Sequence, residues 1–91
     1  MNAKLYEFLV WIDKNYTLRS EGIRYSFYED KVEVTVETRY TVKKEMLDEI
    51  FGKVKECGLK VVNYWFSTCG NNLCFTISVT WKDEGEADVR A

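Results

Sequence analysis

Chemistry in this chain has few side chains to work with. The sequence contains no His, so the usual general base and the commonest metal ligand are both absent. A Ser-His or Cys-His nucleophile cannot be built. The five Gly are scattered and form no phosphate-binding loop. What remains is a cysteine pair and a pair of carboxylates. Cys69-Gly70-Asn71-Asn72-Leu73-Cys74 is the most unusual local feature. Zinc needs four ligands, and one chain offers these two sulfurs plus Cys57, expected under a helix. A zinc shared between two chains or a disulfide between Cys69 and Cys74 would each use the pair, and two free thiols are the plain alternative. Glu33 and Glu37 share one face of a strand but stand two pleats apart, about 13 Å by strand rise, too far to share one proton or one metal. We therefore expect no catalytic residues, no metal and no cofactor, and an enzyme ranks lowest among the function classes.

The elements that must position the cysteines come from residues 59–81. Leu73, Phe75, Ile77, Val79 and Trp81 alternate with Cys74, Thr76, Ser78 and Thr80, a period-two pattern that predicts a strand with one apolar and one small polar face. Residues 59–68 form the preceding arm, with Val62, Tyr64 and Phe66 as its more consistent apolar set. Gly and Asn in the turn tolerate positive φ. A two-residue turn at Gly70-Asn71 puts Phe66 opposite Phe75 and Tyr64 opposite Ile77. A four-residue loop puts Phe66 opposite Ile77 and sets Cys69 across from Cys74. The two registers differ by an even step, so both keep the apolar sets together.

Upstream, residues 3–16 predict an amphipathic helix, with Leu5, Phe8, Leu9, Ile12 and Tyr16 at helical spacing and Asn15 near its end. Residues 23–28 and 32–41 predict a hairpin. A turn at Glu29-Asp30 pairs Phe27 with Val32, Tyr25 with Val34 and Ile23 with Val36. Its outer face is charged, and suits a diagonal pair of Arg24 with Glu33 or Glu37. Residues 43–57 predict a second helix, with Thr41 as N-cap and Gly58 as its stop, followed by the apolar Leu59.

The order is αββαββ. Two amphipathic helices and two one-sided hairpins predict an α+β two-layer sandwich, a four-stranded antiparallel sheet with both helices on one face. A right-handed split βαβ unit sets the strand order 3-4-2-1, that of a ferredoxin-like sandwich after circular permutation; simple stacking as 1-2-3-4 is the competitor. Residues 1–82 read as one domain and residues 83–91 as an acidic, disordered tail.

Composition narrows the partners. The formal charge is −2 and the acidic excess lies in the tail, which argues against a phosphate-binding surface. The outward face of the two central strands carries Thr, Ser and Glu rather than stacking rings, so nucleic acid is a minor alternative. No run of about 18 apolar residues could span a membrane. The N-terminus lacks a signal-peptide core, so a cytoplasmic location is expected. Abundant Lys and Glu with no Gln resembles the composition of thermophilic proteins. The leading expectation is a small interaction module, self-associating as a homodimer. Its anchors would be Trp65, Tyr28 and the Ser78/Thr80 face, with Trp11 a further contact.

Overall fold

A computed structural model describes residues 2–39 and 41–82; the tail expected at 83–91 lies outside the described residues. The chain runs α1 (Ala3–Tyr16), β1 (Gly22–Phe27), β2 (Val32–Thr38), α2 (Lys44–Glu56), β3 (Lys60–Cys69) and β4 (Asn72–Thr80). The four strands form one antiparallel sheet in the order β1-β2-β4-β3. This is the order expected of the split βαβ arrangement, and it excludes sequential stacking. Both β2 and β3 run antiparallel to the strand between them, so they are parallel to each other, as a helical crossover requires.

Each element follows from local chemistry. Asn2 caps α1: its Oδ1 accepts from the backbone N–H of Lys4 at 2.8 Å. The helix continues past Asn15 to Tyr16, because the Asn15 side chain instead donates back to the Trp11 carbonyl. α2 begins without a side-chain cap; Lys43, not Thr41, occupies the cap position. Its C-terminus is better defined. Gly58 has φ +75°, the Gly58 N–H donates to the Lys55 carbonyl, and the Leu59 N–H donates to the Val54 carbonyl. That bond pair is the Schellman motif, and buried Leu59 supplies its apolar contact. Gly58→Ala is expected to cost about 1–2 kcal/mol from left-handed backbone strain, read as a lower thermal midpoint.

The first hairpin pairs Phe27 with Val32, Tyr25 with Val34 and Ile23 with Val36, as its alternation predicts. Val32, Val34 and Val36 are buried under the helices with Phe75, Ile77 and Val79. Leu5, Phe8, Ile12 and Tyr16 of α1 and Met46, Ile50 and Val54 of α2 complete this core. α1 lies toward β1, where the Tyr25 hydroxyl donates to Asp13 at 3.0 Å. α2 lies toward β3, where Phe51 meets Tyr64 and Phe75 at ring-centroid distances of 5.2 and 6.0 Å. Tyr16 and Glu49 join the two helices through a hydrogen bond.

Three further expectations, all from strand alternation, need correction. Phe27 faces the apolar side but is 58% exposed, because it lies at the open end of the edge strand. Val62 is out of phase: a bulge between Val61 and Asn63 puts Val61, not Val62, opposite Val79. The outward face of β4 is not solvated, since Cys74, Thr76 and Ser78 are all buried. β4 is a central strand with neighbours on both sides, and side chains of β1, β2 and β3 on that face close over its small ones.

Candidate functional site

Two surfaces hold the residues singled out by the sequence. The first is the outer edge of the sheet at β3. Residues 60–68 are all exposed, although the strand includes Val61, Val62, Tyr64, Trp65 and Phe66. Two effects combine here. Among the described residues β3 pairs on one side only, with β4, and α2 reaches it through Phe51. Phe66 packs one ring face against Phe75, at 5.3 Å between centroids, and leaves 53% of its surface in water. Lys60 is the strand's sole charged residue, at its very start.

The tight turn decides which backbone groups of β3 point outward. Cys69 pairs with Asn72, so the connection is the two-residue turn Gly70-Asn71, with Gly70 at φ +64°. By the alternation of an antiparallel ladder, Tyr64, Phe66 and Thr68 then direct their backbone N–H and C=O away from β4. Consistent with this, the Tyr64 N–H is held by the Asn63 side-chain oxygen at 2.8 Å rather than by β4.

The second surface is the sheet face opposite the helices. The two-residue turn places Cys69 diagonal to Cys74, not directly across from it, yet their sulfurs lie 2.8 Å apart as free thiols. Arg24 on β1 donates from Nη2 to Cys69 Sγ at 3.4 Å and to Cys74 Sγ at 3.6 Å, and from Nη1 to Glu37 at 2.9 Å. Asn72 donates to the other oxygen of Glu37 at 2.5 Å. These bonds from Arg24 and Asn72 hold the Glu37 carboxyl below the usual carboxylate range, with that from Asn72 the larger cause. The Glu37 carboxylate and both sulfurs come within 4.8 Å of one another. A soft metal would find three ligands there, but the Arg24 guanidinium touches all three and opposes a cation. The sequence anticipated the Arg24–Glu37 diagonal. It held no sign that the same guanidinium would reach Cys69 and Cys74, because that contact runs from β1 across β2 to β4 and β3.

The remaining expected anchors are distributed as follows. Trp65 lies on this face opposite Thr76, about a third exposed. Tyr28 is half-exposed; its hydroxyl approaches Glu33 at 3.5 Å and its ring lies under Lys31. Thr80 donates to the Asp30 carbonyl. Trp11 packs against the core, stacked near Phe8 and edge-on to Tyr16. Ser78 is 1% exposed, and its hydroxyl has no hydrogen-bond partner among the described residues. It belongs to the packing of this face and not to its outer surface. Removing an unpaired buried hydroxyl relieves a desolvation cost. Ser78→Ala is therefore expected to raise the unfolding free energy by about 1 kcal/mol, checked by urea titration.

Two concavities lie elsewhere on the described surface. One, of about 260 Å³, lies between the C-terminal end of α1 and the N-terminal end of α2, and its arginines are paired, Arg19 with Glu49 and Arg39 with Glu21. The other is a shallow apolar groove of about 400 Å³ between α1 and β1, lined by Tyr6, Val10 and Phe27. No described helix is long and apolar enough to cross a membrane. Comparison with known proteins finds no matching family model, no matching curated protein and no matching solved structure.

Proposed function

We propose that this protein is a non-enzymatic interaction module that self-associates through β3, joining two four-stranded sheets into one. The observation that supports this most is the long, apolar, one-charge edge strand with outward-directed backbone groups. Isolated chains protect such edges with Lys, Pro or inward charges, because an open edge templates pairing. Here Asn63 masks one N–H, the bulge at Val62 shortens the regular segment, and residues 63–69 are left without a second strand partner among the described residues.

A two-fold axis at Phe66 satisfies the geometry. Phe66 would pair with its symmetry mate through outward backbone groups, and Tyr64 with Thr68 of the other copy once the Asn63 side chain releases the Tyr64 N–H. The two Lys60 side chains would lie at opposite ends of the joint ribbon and not repel. The aromatic cluster of Phe51, Tyr64, Phe66 and Phe75 would become continuous across the axis. Trp65 would lie beside Ser67 of the mate on the other face. Apolar side chains on both sides of the junction and backbone bonds along it are the ingredients of strand addition.

Light scattering on the purified chain tests the reading. The expected mass is twice the 10.8 kDa of one chain. A single-chain mass at hundreds of micromolar would remove it. The apolar α1–β1 groove lies at the opposite edge of the sheet and would stay free in such a dimer for a different protein.

A further inference from the structure

We propose that Cys69 and Cys74 form a thiol–disulfide exchange site, with Cys69 as attacking sulfur, Cys74 as resolving sulfur and Arg24 as the group that carries the charge, acting on a low-molecular-weight disulfide. The site lies at the turn of the β3–β4 hairpin and does not depend on the dimer.

Three independent features support it. The first is proximity. The two sulfurs are 2.8 Å apart, about 0.8 Å beyond a covalent S–S bond of ~2.05 Å, so a bridge requires only a small shift of one side chain. The second is asymmetry of access. Cys74 is fully buried in the central strand, while Cys69 is partly open at the hairpin end. An external disulfide can therefore reach Cys69, and Cys74 can reach only Cys69. Burial, followed by its hydrogen bond to Cys69, pushes the Cys74 thiol up. The third is electrostatics. The Arg24 guanidinium donates to both sulfurs and is oriented by Glu37, which is oriented in turn by Asn72. A fixed positive group beside a sulfur stabilises negative charge on it during attack and departure. Cys57 has none of this: it is buried, and burial followed by a hydrogen bond to Glu7 pushes its thiol up to about 11.

The chemistry balances in two displacements. Cys69 sulfur, as thiolate, attacks one sulfur of R–S–S–R, forming a Cys69–S–R bond and releasing RS⁻. Cys74 then loses its proton and attacks Cys69 Sγ, displacing the second RS⁻. The two protein thiols are oxidised to one disulfide, the small disulfide is reduced to two thiols, and the two cysteine protons end on the two leaving groups. A resident cation is the rival use of the cluster, and Arg24 stands in its way.

The test uses the full reduced chain and oxidised glutathione under nitrogen, quenched with an alkylating agent in denaturant so that buried thiols are also labelled, and read by intact mass. The expected product has lost two daltons and takes up one alkyl group, on Cys57. In Cys74→Ser the mixed disulfide should accumulate, mapped to Cys69. Arg24→Gln should slow loss of the Cys69 thiol about tenfold, and Arg24→Lys should recover part of the rate. A wild-type chain that keeps three alkylatable thiols would overturn the proposal. So would a Cys74→Ser adduct spread equally over Cys57 and Cys69, or an unchanged rate in Arg24→Gln. One zinc retained per chain through dialysis, with Cys69 shielded from alkylation, would assign the cluster to a metal instead.

Discussion

Phe75→Ala is expected to lower the unfolding free energy by roughly 3–5 kcal/mol, a large share of the ~5–15 kcal/mol that holds a domain of this size together. Phe75 is fully buried on a central strand, opposite Val36 on one side and Phe66 on the other. Its ring meets Phe51 at 6.0 Å, Tyr64 at 6.3 Å and Phe66 at 5.3 Å. Truncation removes the transfer free energy of the ring and leaves a cavity that the rigid sheet cannot close. It also strips Phe66 and Tyr64 of the surface that holds them half out of water. The thermal midpoint should fall by well over 10 °C, at about 4–8 °C per kcal/mol for a chain of this length. Phe27→Ala provides the contrast. Phe27 is also an aromatic on the apolar face of a strand, but it is mostly exposed, and its truncation should change the midpoint little. Equal losses from the two substitutions would contradict the layering described here.

Phe66→Lys should convert the proposed dimer to a monomer, raising its dissociation constant at least ~100-fold, or about 2.7 kcal/mol. Two contributions add. The half-exposed ring at the two-fold axis is lost, and two ammonium groups are brought face to face where like charges oppose pairing. Lysine on an edge strand is also the substitution by which open edges are ordinarily protected. The fold itself should survive, since the side chain already has 53% of its surface in water and its contact with Phe75 is one-sided. Sedimentation gives the mass and circular dichroism the folded state. Phe27→Lys, at the opposite edge of the sheet, should leave the mass unchanged. A folded Phe66→Lys chain that remains as dimeric as the parent would place the interface elsewhere.

Much of the fold is legible in residue order because its signals are local and repeated. The stripe of Leu5, Phe8, Ile12 and Tyr16 specifies a helix face without any knowledge of its partner. The match of Ile23, Tyr25 and Phe27 to Val36, Val34 and Val32 sets the first hairpin register, because a one-residue slip would place every apolar group in water. Gly58 followed by Leu59 marks the end of α2, since few residues other than glycine tolerate the left-handed backbone there. Connection handedness narrows the strand order without deciding it, because a right-handed crossover from β2 through α2 to β3 fits both sequential stacking and the observed β1-β2-β4-β3.

Tertiary structure decided what depends on neighbours from distant parts of the chain. Period-two alternation assigns Thr76 and Ser78 to the polar face, but only the central position of β4 determines that this face is closed over. Alternation cannot anticipate the bulge at Val62, which exchanges the roles of two adjacent valines. The cysteine pair shows the division most sharply. Its spacing was compatible with a direct cross-strand pair or with none, and the tight turn made it a diagonal one whose sulfurs still meet. The guanidinium beside those sulfurs comes from a strand 45 residues earlier than Cys69, brought there by sheet order and not by any feature of local sequence.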